Sequence, residues 1–183
     1  MAQATQTKRW FSVIAPDSLS NAQVGDILGT SEGDVLGKTV TMNLGDITSD
    51  ARKQKAEVTL RVSAVDGKEA YTEAINVAMA PGTAKRSVRK GRSKVTDSFD
   101  VTTNDGKTIR VKPFVVTNSR IKNSAGTALR KRAKKALKEI FSSNSAEQAY
   151  TNLLNGTLQR QLKDELADIT PIRFVDFTEA KLQ

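Results

Sequence analysis

The sequence contains no cysteine and no histidine. Disulfides, zinc fingers, zinc knuckles, cysteine nucleophiles and histidine general bases are all excluded by that. Aromatic residues make up 5% of the 183, with one tryptophan, Trp10, so repeated base-stacking rings have little to be built from. No apolar run approaches the roughly 20 residues of a membrane-spanning helix. The opening MAQATQTKRW has no apolar signal segment. The chain reads as soluble and intracellular, with no membrane partner and no cofactor, and Asn155-Gly156-Thr157 as a chance match to the glycosylation sequon.

A further lack is local. From Ala84 to Val95 there is no acid, but there are six cations: Lys85, Arg86, Arg89, Lys90, Arg92 and Lys94. From Arg120 to Lys138 there is again no acid, with eight cations: Arg120, Lys122, Arg130, Lys131, Arg132, Lys134, Lys135 and Lys138. The two stretches hold 14 of the 29 basic residues, and everything outside them nets −5. The net charge of +9 is therefore two patches on a slightly acidic protein. Crowded like charges raise one another's energy, and a nucleic-acid backbone is the commonest polyanion to offset that.

In chain order, Lys8–Pro16 reads as a strand ended by its proline. Trp10, beside Lys8 and Arg9, is expected in the core rather than as a stacking platform. Gly37-Lys38-Thr39 and Gly106-Lys107-Thr108 do not make phosphate-cradling loops. The glycine such a loop needs five positions earlier is Glu32 in one case and Val101 in the other. Val58, Leu60, Val62 and Ala64 alternate with polar residues as one strand face, and Asp66-Gly67 is a turn. A second strand over Ala70–Met79 would alternate through Tyr71, Ile75, Val77 and Met79, placing Glu73 inward, until Pro81-Gly82 breaks it.

Lys85–Lys90 is predicted as a short helix stopped by Gly91. Val95–Thr103 and Thr108–Thr117 form a hairpin, with Phe99, Val101, Ile109 and Val111 buried and Lys107, Arg110 and Lys112 extending the basic surface. After Ile121 the period becomes 3.6. Leu129, Ala133, Ala136, Leu137 and Ile140 share one helix side, and the cations take the other. Like-charged pairs stand at i,i+4 (Lys131 with Lys135, Arg130 with Lys134, Lys134 with Lys138), relieved only by Glu139.

Ser145 to Gln148 is a capping box. Leu158, Leu162 and Leu166 mark one more helix, and Ile172–Phe177 a last strand. The fold class is α+β: an antiparallel barrel-like sheet flanked by helices, with a C-terminal helical segment. Residues 1–117 form the β core with the basic helix or loop at 84–95. Residues 118–183 pack on it as one domain.

Several segments resemble the archaeal and eukaryotic small-subunit ribosomal protein family eS1, also called S3Ae. They are Lys8–Pro16 (KRWFxVxAP), Leu36–Ile47 (LGKTVTMNLGDI, like the family's G-R-x-x-E-x-x-L-x-D-L), Ser93-Lys94-Val95 leading into DVTTNDGKTIRVKP, and Ala167–Arg173 (ADITPIR, like D-I-Y-P-L-R). The pattern's Arg is Lys38 here, which keeps charge but not bidentate geometry. Its Glu is Thr41, which bears on an ion pair of that region. The absence of a long C-terminal extension looks more archaeal than eukaryotic.

The resemblance implies a β-barrel with flanking helices in the cytoplasmic 30S subunit. Its place would be the platform near the mRNA exit, against 16S rRNA close to its 3′ end and a neighbouring protein such as uS11. Contact with mRNA stays open. The residues themselves reach only as far as RNA or DNA binding. Two other readings stand beside it. A free single-strand binder with an OB-like barrel would interleave aromatics with the cations. A metal-dependent nuclease would use Asp26, Asp34, Asp46 or Asp50; the expectation is that the protein is not an enzyme.

Overall fold

The computed structural model describes residues 8–50, 53–80 and 82–183. The first seven residues of the opening segment, and the expected breaker Pro81, lie outside them. The chain forms two compact units, Met1–Gln54 with Val58–Ile75, and Lys55–Glu57 with Asn76–Gln183.

The first unit holds β1 (Arg9–Ile14), β2 (Gln23–Gly29), α1 (Glu32–Val35), β3 (Thr39–Asn43), α2 (Leu44–Thr48), most of β4 (Ala56–Asp66) and the start of β5 (Glu69–Met79). β1 runs antiparallel to β2 and parallel to β5, while β4 lies between β5 and β3. Alternation sets the core: Phe11 and Val13 of β1, Ala15 just past its end, and Val58, Leu60 and Val62 of β4 are all buried. Trp10 is not. It is 65% exposed, because Phe11 and Val13 take the inner face and the strand's period of two turns its neighbour outward. The expectation of a core tryptophan is corrected.

Val35 of α1 packs on Phe11, Val62 and Ala70. A Cβ added to Gly29 would come within 2.3 Å of Val35 Cγ2 and 3.3 Å of Phe11 Cε2. Gly29 is thus needed for close packing.

The first part of β5 takes the other register from the one expected. Ala70 and Thr72 are buried and Tyr71 is 41% exposed. Thr72 Oγ1 donates to the Ile14 carbonyl at 2.8 Å, so the inward polar group is satisfied and Glu73 faces out. Further along the strand Val77 belongs to the second unit, where it is buried as expected.

The second unit is built around β8 (Thr108–Thr117). One edge pairs antiparallel with β9 (Ile172–Leu182); the other takes β7 (Phe99–Thr102) and then β6 (Lys94–Thr96). The end of β5 joins the far edge of β9. Pro113, which has no N–H to donate, falls at a register shift against β9. Three helices follow: α4 (Asn123–Ser143), α5 (Ala146–Leu154) and α6 (Thr157–Ala167), with α3 (Thr83–Ser87) ahead of β6. Leu129, Ala133, Ala136, Leu137 and Phe141 of α4 and Leu158, Leu162 and Leu166 of α6 are buried. The α5 capping box is present, Ser145 with Gln148, and Asp105 Oδ2 of the β7–β8 turn also accepts from Ala146 N at 2.9 Å.

The α+β class therefore holds. The sheet is mixed, through the parallel β1–β5 pair, and open. Among the described residues no ladder joins β2 to β3 or β6 to a further strand, so barrel-like fits it loosely. No helix among the described residues is long and apolar enough to cross a membrane.

Candidate nucleic-acid interface

The first basic stretch opens as α3, which ends at Ser87, three residues short of the expected Lys90. Arg89 to Arg92 then make a tight turn, with Arg92 N donating to Arg89 O at 3.2 Å and Gly91 at φ 87°. That left-handed conformation favours glycine. Lys85, Arg86, Arg89, Lys90 and Lys94 are exposed and Arg92 half-buried. None of the six meets a carboxylate among the described residues.

Ser93 ties this stretch to the second one. Its N–H donates to Thr117 Oγ1 at 3.1 Å, and its carbonyl accepts from Thr117 N at 3.0 Å. Its Oγ accepts from Ile121 N at 3.1 Å. Thr117 is fully buried, and its hydroxyl donates to Ser119 O at 2.6 Å. Arg92 and Lys94 flank Ser93 in sequence, and Arg120 and Lys122 flank Ile121. Two cation groups far apart in the chain are therefore held at one place in the second unit. The serine and threonine gave no sequence signal for this, since isolated hydroxyls rarely do.

Along α4 the cations divide by flank. Arg130 Nε donates to Thr96 O at 3.2 Å, and Lys134 Nζ lies 5.6 Å from the Phe99 ring centroid. On the other flank Arg132 Nε donates to Glu165 of α6 at 3.0 Å, and Lys135 stands 3.9 Å from Glu139. Lys131 and Lys138 point away with no partner among the described residues. The N-terminus of α4 has no acid in its first turn and no side-chain cap, and Lys122 occupies the cap position. That end is electropositive and unopposed.

The hairpin cations differ. Arg110 donates through Nε and Nη2 to Asp100 at 2.7 and 2.9 Å, holding that carboxyl below its usual range. Lys112 pairs with Glu179 across β8 and β9. Lys107 is exposed in the β7–β8 turn. Lys8 and Arg9 are exposed at the start of β1 and belong to the first unit, unlike all the other candidates.

Charge is divided between the units. The first carries seven Lys or Arg against nine Asp or Glu, and the second twenty-two against eleven. No three His, Cys, Asp or Glu among the described residues stand close enough to share a metal ion. Asp34, one of the candidate metal ligands, accepts from Thr30 N at 3.1 Å and lies 3.5 Å from Lys38 Nζ, and both interactions hold its carboxyl low.

Fold and charge together define a basic α+β protein whose cations gather on one of its two units. The chain belongs to the ribosomal S3Ae family, whose family model matches residues 2–183. The small ribosomal subunit protein eS1 of Haloarcula marismortui is 28% identical over 183 residues, covering 100% of this chain and 86% of that relative. Its counterpart in Nanoarchaeum equitans is 29% identical, covering 91% and 84%. That of Pyrobaculum arsenaticum is 30% identical, covering 96% and 80%. At the two departures from the family pattern, Lys38 Nζ donates to Leu28 O at 3.0 Å. The Thr41 hydroxyl meets that of Thr59 at 3.1 Å, a hydroxyl pair where an ion pair would need Glu.

Proposed function

We propose that this chain is a structural constituent of the small ribosomal subunit, without catalysis of its own, that neutralises 16S rRNA phosphates through its second unit. The observation that carries this is the hydrogen-bonded junction at Ser93. It gathers Arg92, Lys94, Arg120 and Lys122 with no carboxylate among them. Lys85, Arg86, Arg89, Lys90, Arg130, Lys131, Lys134 and Lys138 extend the same phosphate-binding set. Arg110, Lys112, Arg132 and Lys135, each already facing an acid, contribute less. Lys107 adds an exposed cation at the hairpin turn, and Lys8 and Arg9 a separate contact from the first unit.

Such contacts position RNA and read its shape rather than its sequence. Membership of the family supports a place on the platform near the mRNA exit, beside the 3′ end of the rRNA and a neighbour such as uS11, in the cytoplasmic ribosome. The test is retention of a 16S rRNA fragment by the purified chain. With about 6–10 phosphates engaged, affinity falls on the order of 10³–10⁵ between 50 and 200 mM salt. A salt-insensitive complex would refute phosphate contact. Replacing Lys131, Lys134 and Lys135 with Glu abolishes retention while the fold survives; undiminished binding removes α4 from the interface.

A further inference from the structure

The first unit presents a surface of different chemistry. Phe11 and Val13 point inward, so the residues alternating with them point out, together with their cross-strand partners. The register places Trp10 opposite Leu28, Ser12 opposite both Asp26 and Glu69, and Ile14 opposite Tyr71. Three rows result. Trp10 and Leu28, 65% and 37% exposed, form an apolar row at one end. Asp26 and Glu69 flank Ser12 in the middle, and Ser12 Oγ donates to Asp26 Oδ1 at 3.0 Å. Tyr71, 41% exposed, closes the other end, and its hydroxyl donates to Glu69 Oε2 at 2.9 Å. Glu73 of β5 and Arg61 of β4 are also exposed, each beside a buried neighbour that fixes it outward. The exposed Arg9 and Lys68 line one pocket with Trp10 at the apolar end.

An exposed tryptophan next to Arg9 invites a base-stacking role, but this setting opposes it. The carboxylates flanking Ser12 would meet the phosphates of any strand stacked on Trp10, and the unit as a whole carries more acid than base. The complementary ligand has cations between apolar side chains, as basic protein segments do. Guanidinium groups also sit well over a tryptophan face.

We propose that this face, Trp10 and Leu28 at one end, Asp26 and Glu69 across the middle and Tyr71 at the other, docks a Lys/Arg-rich segment of a neighbouring protein that carries apolar residues between its cations. It rests on the first unit alone and does not require the rRNA contacts of the second.

Trp10 is the chain's only tryptophan, so its emission reports on this face and nothing else. The full chain is titrated with three probes: a short peptide alternating Arg and Leu, the same peptide with Glu for Arg, and oligouridylate. The expected result is a saturable change in emission with the Arg–Leu peptide alone. Asp26→Lys with Glu69→Lys weakens that response about five- to tenfold, with the far-UV circular dichroism unchanged. Should the charge reversal unfold the chain, Asp26→Asn with Glu69→Gln gives a smaller loss in the same direction. Glu substitutions at Lys131, Lys134 and Lys135 leave the response intact, which separates this face from the rRNA contacts. An equal response to oligouridylate overturns the proposal, as does an equal response to the Glu–Leu peptide. Silence toward all three probes also overturns it.

Discussion

Arg132 on α4 donates to Glu165 on α6 at 3.0 Å, so one cation of the densest basic run is already satisfied from within the protein. Glu165→Gln releases it. The expected outcome is tighter binding to an rRNA fragment, by a few-fold, with a salt slope steeper by about 0.7–0.9 for the added phosphate contact. Binding that weakens, or does not move, would show that this flank of the helix faces away from RNA. The comparison is a filter-retention series in salt on both chains.

The Ser93 junction predicts that affinity can be lost with no change in charge. Ser93→Ala deletes the acceptor for Ile121 N, and Thr117→Val removes the partner of Ser93 N at a fully buried site. Each is expected to cost about 1–3 kcal/mol in urea unfolding. Each should also weaken RNA binding, because Arg92 and Lys94 lose their fixed place beside Arg120 and Lys122. A variant of normal affinity despite its lower stability would mean that this alignment is unimportant.

Gly29→Ala drives a methyl against Val35 and Phe11. About 1–3 kcal/mol of destabilisation follows, read as a lower urea midpoint. Val35→Ala in the same chain should recover part of it by vacating the space. If the double variant is no better than the single one, the crowding is not at Val35.

Asp176 supplies a pH prediction. Burial pushes its carboxyl above the usual range, against weaker help from Phe177 N at 2.9 Å and Gln159 Nε2 at 3.5 Å. A pKa raised on folding stabilises below the unfolded value near 3.8. That contribution is lost as pH rises through the folded value. At neutral pH its burial is a burden, because the unfolded chain ionises the same group freely. Asp176→Asn should therefore raise stability at pH 7 by about 1 kcal/mol, helped by an amide able to donate to Gln159 Oε1, which is buried without a partner. The advantage should shrink as pH falls toward 4. A difference independent of pH would assign the effect to packing.

Much of this was legible in the sequence, and the reasons differ by element. The amphipathic α4, the capping box at Ser145 and the β7–β8 hairpin are local patterns, so period and turn chemistry sufficed. The parallel pairing of β1 with β5 was not legible, because neither strand carries a local signal for a partner more than fifty residues away. The outward turn of Trp10 is not legible, because hydrophobicity alone does not say which phase of a strand faces in; its neighbours Phe11 and Val13 decide that. The basic patches were visible as composition. Their internal neutralisation was not: Asp100 and Glu179 lie opposite Arg110 and Lys112 only once strand register is fixed.

The hydrogen bond from Thr72 Oγ1 to the Ile14 carbonyl keys β5 to its parallel neighbour through a side chain as well as through the ladder. Slipping β1 by one residue against β5 would leave that buried hydroxyl without its acceptor, so the pair admits one alignment and penalises its nearest competitor.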